Sequence, residues 1–452
     1  DSGATVHCLD VKPTGGVLKE NLLINSGFDV WSNSTLENVT QHTITWSNYS
    51  TDAFTATNGD ITNMDNNSGW AGAHFALSGL TNGKLYRITL TNYADDTGSG
   101  GHGWQIYTGN DVATATNGSI SPTGQIADGN WVFEKQSGDT HFMIEGTTAG
   151  AGHLDRATFT IYEVAPACIA SNNLGCEGWG KDGTGTRPDM HRIHDDGGTN
   201  THDGSFYSLK LTSKGTNNGI YYPSFIGTTS SIWYQRFAGR TVTAGVWAKT
   251  DTASHFRIEI YDGNDYTNSS YHTGGNGWEW IEVTKTCSAG STTRFEFYFV
   301  VETNTKSVYL SQPMLVFGNS IGEGNYTRPK GEVIWLEYYE RLNVTTAPVA
   351  TDDVSLNLEA LSDGKVPKGA KAVYVKSQIQ DSSVTTNNGI YYAKDSSGQH
   401  NSLNNFAHVS NIRSAQSGWV ACDTNGDIYQ TVSNSTGTLS NHYLDILGVE
   451  LH

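Results

Sequence analysis

The stretch "RPDMHRIHDDGGTNTHDGS", residues 187–205, gathers His191, His194, Asp195, Asp196, His202 and Asp203. Imidazoles beside carboxylates can hold a transition metal, and the step from His191 to His194 suits two ligands. The same residues also make a polar loop between strands, which is the preferred reading. "YDGNDYTNSS" (261–270) and "CDTNGDIY" (422–429) offer Asp and Asn oxygens in the manner of a calcium loop. Neither ends in the bidentate Glu that closes such a site, and both are explained as turns. No metal and no cofactor is expected.

Catalytic signatures are missing in the same way. The chain contains no His-Glu-x-x-His pair and no phosphate loop, and nothing in it reads as the strand-to-helix turn of a nucleophile elbow. A carboxylate pair for glycoside hydrolysis depends on a separation in space, but the acidic residues fall mostly in turns. An enzyme is not expected, and no catalytic residue is nominated.

The aromatic residues carry more information. Trp104, Tyr261 and Trp278 stand directly beside Gly or Asp, Tyr107 stands two residues before Gly109, and Trp233 and Tyr234 follow the polar run at 227–231. Sugars present C–H faces that stack on such rings, while Asn, Asp and Gln fix their hydroxyls. These six are the candidate glycan-binding residues. The competing assignment for each is a core ring, and Trp247 and Trp280, inside strong strand patterns, are assigned to the core.

Rings of this kind need a scaffold, and the composition indicates which. Among 452 residues, Tyr 22, Trp 12 and Phe 15 exclude a disordered chain, while Gly 51 and the scarcity of long Ala/Leu/Glu/Lys runs argue against helix bundles. Short β-branched and aromatic runs between polar turns predict an all-β protein of two to four domains. The formal net charge of −18, without a Lys/Arg cluster, excludes a nucleic-acid binder. No apolar run approaches the length of a transmembrane helix, so membrane insertion is not expected. Residues 1–20 lack the features of a signal peptide. The five scattered cysteines are read as reduced thiols.

Along the chain, 1–20 reads as an anchoring segment or linker, 21–164 as a first β module and 165–318 as a second. Residues 319–344 read as a joint, and 345–452 as a C-terminal β domain. In "KLYRITL" the alternation sets Tyr86, Ile88 and Leu90 against Leu85, Arg87 and Thr89. "VACDTNGDIYQTV" reads as a hairpin closed near Asn425-Gly426. In the joint, Val333, Leu336, Tyr339 and Leu342 are spaced for one side of a short helix or tight turn. That would leave Glu332, Glu337, Glu340 and Arg341 facing water or a neighbouring chain.

Three passages carry a resemblance. "NLLINSGFDVW" resembles the opening of bacteriophage fibre and other virion modules, and of jelly-roll modules of the carbohydrate-binding type. "FAGRTVTAGVWAKT" resembles a turn-and-strand of the same modules. "SVYLSQPMLVFGNSIGEGNYTRPKGEVIWLEYYERL" resembles the exit of phage tail-fibre proteins. The resemblance implies tandem jelly-roll β-sandwich modules followed by a C-terminal β-sandwich domain. It also implies a non-enzymatic virion fibre or appendage, made in the host cytoplasm, that attaches to host-surface polysaccharide. Such a protein would be a homotrimer, joined to other virion proteins through its N-terminal segment. A structural decoration protein of capsid or neck, and a secreted bacterial carbohydrate-binding protein, are the alternatives.

Overall fold

The computed structural model describes residues 19–451, apart from 50–52, 67–71, 96–103, 110–125, 147–151, 170–174, 184–185, 195–197, 225–230, 291–293, 330, 343–350, 384–387, 397–400 and 434–438. The anchoring role expected of 1–20 falls almost wholly outside these residues. The protein is all-β, built of β-sandwiches, with two short helical turns among the described residues. It divides into two compact units, Leu36–Ala165 and a second made of Asp1–Thr35 with Pro166–His452.

The first unit holds β1 (Thr35–His42), β2 (Ser47–Tyr49), β3 (Phe54–Thr57), β4 (Asp60–Asn66), β5 (Gly72–Ala76), β6 (Leu85–Asp95), β7 (Trp104–Gly109), β8 (Gly129–Glu134), β9 (His141–Gly146) and most of β10 (Gly152–Cys168). One sheet runs β2-β5-β9-β7, and β10 pairs with β1, β4 and β6 in the other. Period-two alternation buries Tyr86, Ile88 and Leu90 of β6 against Trp104, Ile106, Phe142 and Phe159.

In the second unit a β-sandwich is formed by β11 (Gly180–Asp182), β12 (Asp189–His194), β13 (Tyr207–Thr212), β14 (Asn218–Tyr222), the helical turn α1 (Ser231–Tyr234), β15 (Thr241–Lys249), β16 (Phe256–Tyr261), β17 (Tyr266–Asn268), β18 (Trp278–Thr286), β19 (Glu296–Val301) and β20 (Ser307–Phe317). Its sheets are β18-β15-β20-β13-β12 and β11-β14-β19-β16-β17. Alternation is strict. Val242, Ala244, Val246 and Ala248 of β15 meet Phe256, Ile258 and Ile260 of β16 and Phe297, Phe299 and Val301 of β19 in one core. Each large apolar side chain buried there contributes roughly 1.5–3 kcal/mol.

The passage "NLLINSGFDVW", expected to open the first module, packs into this second sandwich instead. Leu23, Phe28 and Trp31 join its core. Asn25 is buried, accepts from the Asp29 and Val30 amides at 2.8 and 3.0 Å, and donates to the Val30 and Glu177 carbonyls, both at 2.9 Å.

The C-terminal sandwich comprises β21 (Val333–Leu342), β22 (Thr351–Leu356), the turn α2 (Leu358–Leu361), β23 (Ala372–Asp381), β24 (Gly389–Ala393), β25 (Asn401–Phe406), β26 (Arg413–Ala421), β27 (Ile428–Ser433) and β28 (Leu439–Glu450). Its sheets are β21-β28-β23-β26 and β22-β27-β24-β25. Two expectations fail here. Residues 333–342 are neither helix nor tight turn but an edge strand on β28, with a register break between Trp335 and Glu340. Ile334 and Leu342 are the buried residues, Tyr339 is exposed, and Glu332 is buried rather than facing water. Nor is 420–432 a hairpin. The turn at Gly426 (φ +89°) carries the chain from one sheet to the other, because β26 and β27 belong to different sheets.

A buried ion pair locks the two sandwiches of this unit together. Arg192 of β12 donates to Glu359 of α2 at 2.7 Å and to the Asp29 carbonyl at 2.9 Å. The Tyr207 hydroxyl donates to Glu359 at 2.9 Å and accepts from the Lys368 amide at 3.2 Å.

Candidate functional site

The outer face of the five-stranded sheet β11-β14-β19-β16-β17 is made by the residues that alternation turns away from the core. One rung carries Asp182, Gly219, Val300 and Arg257. The next carries Gly180, Tyr221, Tyr298, Glu259 and Asn268, and a third Glu296, Tyr261 and Tyr266. From these rungs Asp182, Arg257, Glu259, Tyr266, Asn268 and Tyr298, with Asn217 and Asn218, line an open, polar cleft of about 390 Å³. A Cβ at Gly180 would come within 2.6 Å of the Tyr221 ring, so a larger residue there would displace that ring.

Fixed hydrogen-bonding groups line the cleft. Arg257 donates to Glu259 at 2.7 Å and to Glu302, and its guanidinium lies 4.9 Å from the Tyr271 ring centre. The Tyr271 hydroxyl also reaches Glu302, at 3.1 Å. Burial opposes the charge of Arg257, but its hydrogen bonds to Glu302 and Glu259 outweigh it and hold its pKa above the usual value. At the far rung Tyr261 and Tyr266 are stacked, with centres 4.4 Å apart and planes 23° apart. Tyr266 leaves 55% of its surface free. The Tyr298 hydroxyl donates to Glu296, whose other oxygen accepts from Arg294 at 2.6 Å. The arrangement can stack an apolar face on Tyr266 while Arg257, Glu259, Asn217 and Asn268 address hydroxyl groups.

Of the six nominated rings, Tyr261 borders this cleft, stacked on the Tyr266 ring that lines it. Trp104, Tyr107 and Trp233 are 1, 3 and 4% exposed, so they have no face free for a sugar. Trp104 is core, and Tyr107 is buried on the other face of β7, opposite Met143. Trp233 donates to the Phe295 carbonyl at 3.0 Å and packs on Phe237, with Tyr234 partly buried on the same core. Trp278 is half-buried on the outer face of the opposite sheet, away from the cleft. Trp247 and Trp280 lie on that same outer face rather than in the sandwich core, paired across β15 and β18. Sequence reasoning missed Tyr266, Tyr298, Arg257 and Glu259. The signal was present in "HFRIEIYDG", where Arg257, Glu259 and Tyr261 alternate with Phe256, Ile258 and Ile260.

The polar loops singled out for metals satisfy themselves. Asp262 accepts from the Asn264, Asp265 and Ser288 amides at 3.0–3.1 Å, and Asp423 from those of Asn425 and Asp427 at 2.8 and 3.0 Å. His191 and His194 lie on β12, while Asp195 and Asp196 fall outside the described residues.

No protein-family model matches the chain, and no curated protein matches it. Among solved structures it is similar to the tandem CBM22-1–CBM22-2 domain of Paenibacillus barcinonensis Xyn10C, at 16% identity over 63% of this chain and 99% of that one, with a TM-score of 0.23. It is similar to TmCBM61 in complex with β-1,4-galactotriose, at 13% identity over 33% of this chain and 100% of that one, with a TM-score of 0.23. It is also similar to the enzymatically active domain of bacteriophage CBA120 tailspike protein 4, at 16% identity over 33% of this chain and 24% of that one, with a TM-score of 0.24.

Proposed function

We propose that the chain is a non-catalytic glycan-binding protein, and that the cleft on the outer face of the five-stranded sheet is its binding site. The observation that carries this reading is the exposed Tyr261–Tyr266 stack beside the row of hydrogen-bonding groups that Arg257 holds in place. Glu259, an acidic residue lining the cleft, is engaged by Arg257, which suits it to binding rather than to proton transfer. The order of the three passages that resemble phage fibre modules supports a more specific role. On that reading the protein is a virion fibre or appendage that attaches to host-surface polysaccharide as a homotrimer.

Affinity electrophoresis through gels cast with xylan, β-1,4-galactan or host envelope polysaccharide tests the binding. One polymer should retard the protein, and Tyr266→Ala should weaken retardation several-fold while leaving the melting temperature nearly unchanged. Loss of one stacked ring removes on the order of 1 kcal/mol. Unchanged retardation of the Tyr266 variant would move the site elsewhere. Failure of every polymer and of host cells to bind would leave the structural decoration role. Light scattering tests the trimer separately, and a stable monomer would remove it.

A further inference from the structure

The outer face of the opposite sheet holds a cluster that the glycan cleft does not use. Two successive rungs across β18, β15 and β20 carry Trp278, Lys249 and Tyr309, then Trp280, Trp247 and Ser311. His202, from the loop before β13, lies flat on Trp247 with ring centres 4.0 Å apart, and meets Trp278 edge-on at 5.4 Å. Lys249 and Gln312 hold that loop in place. Lys249 donates to the Thr199 carbonyl and, at 3.4 Å, to Asn200 Oδ1. Gln312 donates to the Asp203 carbonyl at 2.8 Å.

The cluster is rich in unanswered donors. Among the described residues, the indole N–H groups of Trp247 and Trp278 and the Ser311 hydroxyl are buried donors without a hydrogen-bond partner. His202 Nδ1, whose role is set by the tautomer, is likewise buried without one. Trp247, Ser311 and Lys249 are 8, 0 and 7% exposed. Lys249 faces carbonyl oxygens and the Tyr309 ring, 6.0 Å away, and among the described residues it makes no ion pair with a carboxylate. Burial dominates and keeps the pKa of the His202 imidazole below its usual value, against the charges of Asp203 and Glu323. A buried ammonium without a counter-charge and a set of unpaired donors on one face are each costly, and a single acceptor-only group answers both.

We propose that this face is an anion site that takes one carboxylate or sulfate group, supplied by an acidic saccharide or by a free oxyanion. Its oxygens accept from Lys249, Trp247, Trp278 and Ser311, with His202 as a wall. The site is independent of the cleft on the other sheet.

The test is a titration of the full chain, followed in proton–nitrogen spectra by the tryptophan indole signals. Trp247→Phe and Trp278→Phe identify the two signals concerned. Sodium sulfate, sodium D-glucuronate, D-glucose and sodium chloride are compared at constant ionic strength. The expected result is a joint, saturable downfield movement of both signals with sulfate or glucuronate, and none with glucose or chloride. Binding of both anions identifies a free-oxyanion site, and binding of glucuronate alone identifies the acid group of a saccharide. Lys249→Met should weaken the interaction by about tenfold or more, because the charge-assisted hydrogen bond is lost. If that variant does not fold, Ser311→Ala should show a smaller loss in the same titration. Stationary signals, equal responses to glucose and glucuronate, or undiminished binding in the variants that fold would overturn the proposal.

Discussion

Glu332 shows how far a single residue can depart from its sequence neighbourhood. Within a run of charged and aromatic residues it reads as solvent-facing, yet it is buried and accepts from the Asn25 amide at 2.5 Å. That partner lies some three hundred positions earlier, so no local pattern could reveal it. Burial, then the charge of Asp29, push its pKa up to about 7, against the pull of Arg328. A carboxyl whose folded pKa exceeds its unfolded one stabilises fully below the unfolded value. That contribution is lost as pH rises through the folded value. Glu332 therefore withdraws on the order of 3 kcal/mol between about pH 4.5 and 7. Glu332→Gln keeps an uncharged group of the same shape. Its stability advantage over the natural protein should grow across that window and stay level on either side. Urea melts of both proteins from pH 4 to 8.5 check this, and a constant difference would show that Glu332 does not titrate there.

Elements were legible where alternation was strong and misread where pairing is set at a distance. The strands β6, β15, β16 and β19 follow the period of two. In β6 the inward residues Tyr86, Ile88 and Leu90 form one of the two faces read from the alternation, whereas in β15 the ring assigned to the core, Trp247, lies on the outer face. In β21 the three-residue spacing of Val333, Leu336 and Tyr339 imitated a helix, but β28 fixes the backbone and a bulge re-aims the side chains. The cleft was legible only in part for a related reason. Alternation separates the two faces of a strand, but it does not say which sheet's outer face is covered. Ile321 and Tyr326, arriving after β20, pack on Met314, Val316 and Trp280 on one sheet, whereas Tyr266 on the other stays open. The interlock of β12 with α2 is likewise non-local, and it yields a prediction. Glu359→Ala leaves Arg192 buried without its carboxylate and should cost about 3–5 kcal/mol. The double variant Arg192→Met/Glu359→Met should recover part of that loss, since the uncompensated charge is gone. Urea denaturation of both decides it: equal losses would mean that the pair is not coupled.

At the scale of the whole molecule, the fold class follows from composition and strand rhythm, while the order of assembly does not. The passage that looked like the start of a first module supplies core residues to the second sandwich, and Val30, from the same passage, enters the core of the C-terminal sandwich. Leu36–Ala165 is thus an insertion between two pieces of another unit. Insertions succeed where the chain leaves and returns at neighbouring points. Here Thr35 Oγ1 lies 3.5 Å from the Ala167 carbonyl. The inserted unit has its own core of Trp46, Phe75, Phe142 and Phe159, among others. Replacing 36–165 with a short Gly/Ser linker should therefore leave a folded protein that retains both remaining cores and the Tyr261–Tyr266 cleft. Its melting temperature should stay within a few degrees of the transition that the full chain shows for that unit. Retardation by the polysaccharide that binds the full chain should persist, because the residues lining the cleft all belong to the retained unit. A shortened chain that fails to fold, with the linker length varied, would show that the second unit depends on the inserted one for stability.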